Sequence, residues 1–308
     1  MRHRGCSRRL QRALVDFGAD TAFAPAATKV QEHYGVAVSA ERVRRTCLHH
    51  AGRLAAVPPV PCTRLRATGP AHIVAEADGT MVPIVDTGAA PPGTDRRRHR
   101  QVRWQEARLV AAQAHGTATT HYDATLGDVT EAGARWSRVA GRAGWAAATR
   151  IHAVGDGAPW LADQAAQRFG PAGTYLLDLY HVCEYLAAVW PAERARVHAL
   201  RDDLKAGRHA HVLAALHARR EPAAVPDELA PARCAHRYLA NRPAQLDYPA
   251  AVAAGLPLGS GLIESGHRHV LQARLKLAGA WWTAPHAHAM TQLRVCRANG
   301  DWHAYWRN

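Results

Sequence analysis

The spacing of apolar positions changes character several times along the chain. From residue 8 to 56 apolar residues recur every three or four positions, in RRLQRALVDFGA, APAATKVQEHYG and SAERVRRTCLHHAGRLAA, which predicts short helices. Ser39 is placed to cap the third of these, with Glu41 in its first turn. Helices joined by GVAV, with Arg42, Arg44, Arg45 and His49 on the third, have the outline of a helix-turn-helix whose last helix enters a major groove. An ordinary three-helix bundle has the same outline. The stretch VPPVPCTRLRATGP, residues 57–70, carries four prolines and predicts an interdomain linker.

Beyond it the period shortens to that of strands. HIVAEADG, His72 to Gly79, alternates and breaks at Asp78-Gly79, so a tight turn is expected there. MVPIV, Met81 to Val85, predicts a second strand, and the arginine-dense DTGAAPPGTDRRRHR a mobile loop. VRWQEARLVAAQAHG, Val102 to Gly116, predicts a third strand completing a meander. A helix over Gly127 to Gly144, a strand over Thr149 to Gly157 ending in a second Asp-Gly pair at Asp156, a helix, and a strand over Thr174 to Tyr180 follow. The order β-β-β-α-β-α-β defines an α/β layer with a mixed sheet. From His181 to about Gly255 the chain reads as helix, and PHAHAMTQLRVCRANGDWHAYW predicts a last helix with an aromatic end.

Between these lies LPLGSGLIESGHRHVLQARLKLAGAWW, Leu256 to Trp282. Gly259 and Gly261 loosen the backbone, Ser260 can cap, and Ile263, Val270, Leu271 and Leu275 keep helical spacing with Arg268, Arg274 and Lys276 on other faces. Taken alone, Glu264 reads as an acid that complements the helix dipole.

Composition narrows the class. The formal charge is +14, from 39 Lys plus Arg against 25 Asp plus Glu, in 308 residues with a pI near 10.2. Such an excess points to a polyanion, nucleic acid foremost. Six scattered cysteines without a CxxC pair indicate a reducing compartment and no zinc-finger framework. No apolar run approaches the roughly 20 residues that span a bilayer, and MRHRGCSRR lacks the apolar segment of a signal peptide. A cytoplasmic, nucleoid-associated protein with no membrane contact is expected. The HAH triplets at 209–211 and 286–288 fall on predicted helices, where positions i and i+2 face apart, so the histidines do not form a metal site.

Three carboxylates then stand out: Asp78 and Asp156 beside glycines at expected strand ends, and Glu264 behind the glycine turn. Hard oxygen ligands suit Mg2+ or Mn2+, and two such ions about 3.5–4 Å apart stabilise both the attacking and the leaving oxygen of a phosphoryl transfer. Carboxylates gathered in one place repel unless cations neutralise them.

The segments ADGTMVPIVDT, VGDGAPWLADQ, YLLDLYHVCEYLA and LPLGSGLIESGHRHVLQARLKLAGAWW resemble those of DDE-type transposases of bacterial insertion sequences, and LVDFGADTAFAPAATKVQEHYGV is similar to the helical DNA-binding region of that family. The resemblance spans nearly the whole chain. It implies an α/β fold of RNase H-like type, with an N-terminal helical DNA-binding region (1–56), a linker (57–70), a core in two parts (71–186 and 256–308) and a helical insertion (187–255). It implies that Asp78, Asp156 and Glu264 are catalytic, metal-binding acids holding two Mg2+ or Mn2+ ions, and that the partners are double-stranded DNA, as element ends and target, and further copies of the chain on that DNA.

Asp178, His181 and Glu184 in DLYHVCEYL also match a family motif. Their spacing puts them on one side of a helix start, where His181 either contacts a phosphate or packs beside a cap. His267, Arg268, Arg274 and Lys276 are expected to contact phosphates. Leu262 departs from the polar residue of many members, and the N-terminal region and helical block are shorter, as in a shortened copy. A related nuclease that hydrolyses without joining, or a DNA-binding descendant without chemistry, shares all these features.

Overall fold

A computed structural model describes residues 6–58, 60–86, 88, 91, 93–95 and 98–307 fully, and the backbone alone of Arg96 and Arg97. The first five residues, Pro59 of the expected linker and positions 87, 89, 90 and 92 of the arginine-rich loop lie outside the described residues.

One five-stranded sheet organises the chain: β1 (His72–Asp86), β2 (Gln101–Ala114), β3 (Thr120–Thr125), β4 (Arg150–Gly155) and β5 (Gly173–Leu177), in the order β3-β2-β1-β4-β5. β1, β2 and β3 pair antiparallel, while β1, β4 and β5 run parallel. Helix α4 (Val129–Arg142) links β3 to β4, and α5 (Pro159–Phe169) makes the crossover between the parallel neighbours β4 and β5. They cover one face, where Ile73, Ala75, Ala77, Val110, Ala112, Ile151 and Ala153 meet Trp136, Val139 and Phe169.

The strand count matches expectation, but two assignments behind it differ. β1 runs straight through Asp78-Gly79, with Asp78 opposite Leu109 and Gly79 opposite Arg108, so the expected turn is absent. The carboxyl end of the Glu106 side chain lies over Gly79, in the space a Cβ would take. The third strand is THYDAT, which the sequence reading passed over. Its outer edge is closed by Asn299, which both donates to Tyr122 O (2.8 Å) and accepts from Tyr122 N (2.7 Å), as a neighbouring strand would.

The three N-terminal helices, α1 (Arg8–Asp20), α2 (Phe23–Tyr34) and α3 (Ala40–Ala55), do not stand apart from the sheet. Leu14, Val15, Val30 and Val43 share one core with Val82, Ile84 and Leu109 of the sheet and with Leu271 and Leu293 further on. Asp16 and Asp20 of α1 pair with Arg294 and Arg297. The segment expected as a linker also lies against the body, with Cys62 N donating to Ser137 Oγ (3.2 Å) and Arg66 N to Trp145 O (3.1 Å).

After β5 come α6 (Leu179–Val189), α7 (Arg194–Lys205), α8 (His209–His217), α9 (Pro231–Ala240) and α10 (Tyr248–Ala253). Leu186, Trp190, Leu200, Leu216, Leu239 and Tyr248 give this block its own core, seated on Val154, Leu176 and Leu177. The chain then returns to the sheet as α11 (Gly261–Gly266), a π-helical stretch (His267–Gln272), α12 (Ala273–Leu275), α13 (Ala284–Ala298) and α14 (Trp302–Arg307). Among the described residues, no helix is long and apolar enough to cross a membrane.

Candidate active site

Two of the expected acids lie at the same end of the parallel pair β1 and β4. The last pair is Glu76 with Val154. β1 continues to Asp78 on the face that Glu76 occupies, while β4 ends at Gly155, one residue short of Asp156. Asp156 follows the end of β4, where its Oδ1 accepts from Ala158 N at 2.8 Å. The turn after it needs Gly157, whose φ is +82°. α9 fixes this turn from above: Tyr238 Oη donates to Asp156 O, and Arg242 Nη2 donates to Gly157 O at 2.8 Å. The helical block therefore holds the strand end that carries Asp156.

Glu264 is exposed on α11, and the start of α11 is pinned at two points. The first is Glu76, 1% exposed on β1, whose Oε2 accepts from Ile263 N at 2.9 Å. Burial is the main reason its pKa rises to about 8, with the charges of Asp178 and Glu264 adding to the rise and the Ile263 and Leu262 amides opposing it. That mutual influence puts Glu76, Asp178 and Glu264 in one electrostatic neighbourhood. Glu76 also lines a cleft of about 430 Å3 with Val74, Gln113, Pro257 and Leu262.

The second point is Asp178. It caps α6, its Oδ1 accepting from Tyr180 N (2.7 Å) and His181 N (3.2 Å), while Oδ2 accepts from Ser260 N (2.9 Å) and Ser260 Oγ. Leu179 N adds a bond to Leu258 O at 2.8 Å. The glycine turn before Glu264 is thus clamped to the end of β5. Gly259 is required because the Tyr180 ring occupies the space a Cβ would take.

His181 stands on the first turn of α6, 3.1 Å from Glu184 through Nδ1, with its ring edge-on to Tyr185 and Tyr238. This is the packing-beside-a-cap arrangement, although the ring stays half-exposed.

Two residues expected at phosphates turn inward instead. His267 is buried with Nε2 3.2 Å from Asp78 Oδ2, a distance that suits an ion pair, yet neither ring nitrogen has hydrogen-bond geometry to a partner. Arg274 is 1% exposed: its Nε donates to Gly18 O (3.0 Å) and its guanidinium lies between the rings of Phe23 and Trp282, 4.7 and 4.8 Å from their centroids. Burial lowers its pKa to about 10. The wider turn of the π-helical stretch rotates the positions that follow it, which is why an α-helical wheel sends Arg274 to the wrong side. Arg268 and Lys276 remain exposed, Lys276 Nζ donating to Thr80 Oγ1 at 2.8 Å. On α3, Arg45 is exposed and Arg44 half-exposed, both paired with Glu41 at 3.6 and 2.7 Å, and Arg42 is half-buried.

The structure thus places Asp78 and Asp156 at the same end of the parallel pair β1 and β4, and docks the helix of Glu264 onto β1. Asp78 Oδ1 accepts from its neighbour Gly79 N at 2.6 Å. Among the described residues, no group of three or more His, Cys, Asp or Glu is arranged to hold a metal ion. Glu76 is the residue that the sequence reading missed. Its signal was available, as a charged residue inside the otherwise apolar and small run HIVAEA.

Comparison with protein-family models and with curated proteins finds no match for this chain.

Proposed function

We propose that this protein is a DDE-type transposase with an RNase H-like core, catalysing cleavage and strand transfer of the ends of an insertion sequence. The observation that carries the reading is the position of Asp78 and Asp156 at the same end of two adjacent parallel strands, with a third acid on a helix anchored to β1. The β3-β2-β1-β4-β5 order, the separate helical block before Glu264 and the charge of +14 point the same way.

Asp78, Asp156 and Glu264 offer only carboxylate oxygens, a donor set suited to Mg2+ or Mn2+. Such ions, when bound, lower the pKa of coordinated water and neutralise charge at the phosphate. The chain supplies position. Tyr238 and Arg242 hold the Asp156 turn, Glu76 and Asp178 hold the start of α11, and the exposed Arg268 and Lys276 offer charge to the DNA backbone. The DNA partner is the double-stranded element end and target, bound by more than one copy of the chain in the nucleoid.

The test is a cleavage and joining assay on labelled DNA with Mg2+. Asp156→Asn and Glu264→Gln abolish both reactions and leave DNA affinity within a factor of about two. Joining that persists in either variant removes the assignment. A nuclease without strand transfer, or a binding protein without chemistry, is favoured by one feature: Asp78 is already engaged by Gly79 and His267, and Glu264 is exposed. A precut end that is never joined identifies the nuclease, and failure to bind Mn2+ in titration calorimetry identifies the binding protein.

A further inference from the structure

The outer half of the β1-β2 hairpin leaves the sheet. Pairing of β1 with β4 ends at Glu76, and pairing of β2 with β3 ends at Arg108, opposite Gly79. Beyond that point seven residue pairs, from Thr80 with Ala107 to Asp86 with Gln101, form a lone two-stranded ribbon. One of its faces is covered: Val82 and Ile84 are buried in the main core, and Val85 N donates to Trp282 O at 2.7 Å.

The other face is open. Cross-strand partners share a face in an antiparallel pair, so Met81, Pro83 and Val85 stand with Glu106, Trp104 and Val102. Of these, Trp104 is 61% exposed, Val102 56% and Met81 46%, an apolar cluster, while Val85 is buried. The only charge on this face, Glu106, is paired with Arg108. Around the tip, residues 86–103 contain five arginines and two aspartates, and Arg98, Arg100 and Arg103 are exposed.

We infer that this open ribbon face, centred on Trp104, is a stacking surface for unpaired bases of the bound DNA. The inference rests on the DNA reading above and deepens it. A second copy is a poor occupant, because self-pairing about a two-fold axis would bring both sets of arginines together. The arginines are complementary to a polyanion instead. Reading of base edges in a groove needs directed polar side chains, and this face presents none that is uncommitted. An exposed indole matches the flat face of a base that has lost its partner, with arginine taking the phosphates. The ribbon begins two residues beyond Asp78, and by alternation its open face is on the opposite side of β1 from that acid.

The experiment is equilibrium binding of the full chain, in EDTA, to a blunt duplex and to the same duplex with a short unpaired tail. The native protein binds the tailed DNA about tenfold more tightly. Trp104→Ala brings the two affinities within a factor of about two without changing the melting temperature, and Trp104→Phe keeps the preference. A preference for the tail that survives Trp104→Ala overturns the inference, as does a self-associating species that Trp104→Ala dissociates while DNA binding stays the same. If the native chain binds neither DNA at low salt, the DNA reading itself fails, and the inference with it.

Discussion

Replacing Glu76 by glutamine isolates the cost of burying an ionisable group beside the candidate site. The folded carboxyl has a pKa of about 8 because it is withdrawn from water, against an ordinary value of 4.5. The folded state therefore holds this proton more tightly than the unfolded chain does. The stabilising contribution is complete below about pH 4.5, falls as the pH rises, and levels off above about pH 8. At 1.36 kcal/mol for each tenfold change in proton affinity, the loss is about 3 kcal/mol at pH 7 and about 5 kcal/mol once both states are ionised. Glutamine keeps an oxygen for Ile263 N and cannot ionise, so Glu76→Gln is more stable than the native chain by about 3 kcal/mol at pH 7 and about equal to it near pH 4.5. Urea denaturation from about pH 5 to pH 8, with EDTA to remove divalent cations, measures this directly. Native and variant curves that stay parallel across that range refute the argument, because they mean that Glu76 ionises as readily folded as unfolded.

The other expectations are smaller or more local. Asp178→Asn turns a donor towards Ser260 N, costs about 2 kcal/mol and lowers the melting temperature by several degrees; an unchanged melt removes Asp178 as the clamp of the turn. Arg274→Ala destabilises by about 2–4 kcal/mol because Phe23 and Trp282 lose the group between them, yet it leaves the DNA affinity of the folded protein within a factor of about two. Arg268→Ala does the reverse, with an unchanged melt and a shallower dependence of DNA affinity on salt; a filter-binding salt series separates the two.

The sequence patterns that proved informative are those set by one element alone. The helices of residues 8–56, the strand before Asp156 and the spacing of Ile263, Val270, Leu271 and Leu275 follow from local periodicity, and each is buried or placed accordingly. Asp78-Gly79 misled because the pair is a turn signal only when the strand ends there. In this chain β2 continues alongside, and the end of Glu106 lies over Gly79, a cross-strand contact invisible along the chain. THYDAT was passed over because its buried polar residue is satisfied from elsewhere: Asp123 pairs with Arg135 at 2.7 Å and with Arg138, both on α4. The independence of the N-terminal helices was likewise a local inference. The ion pairs of Asp16 and Asp20 with Arg294 and Arg297 join positions nearly 300 residues apart along the chain.

The site divides along the same line. The acids stand out in the sequence as candidates, Asp78 and Asp156 each beside a glycine and Glu264 behind a glycine turn. Their relative position was not legible, because it depends on which strands pair and in which register. The supports of Glu264 were hidden for a further reason. Ser260 and Ile263, three residues apart, are held by Asp178 and Glu76 from two different strands, so neither anchor has meaning until the sheet has formed. The helical run from Gly261 to Leu275, with glycines at 261 and 266 and a π-helical stretch in its middle, is a weak helix former by itself. The orientation of Glu264 is therefore a property of the assembled sheet, and loosening either anchor shifts the acid without touching it.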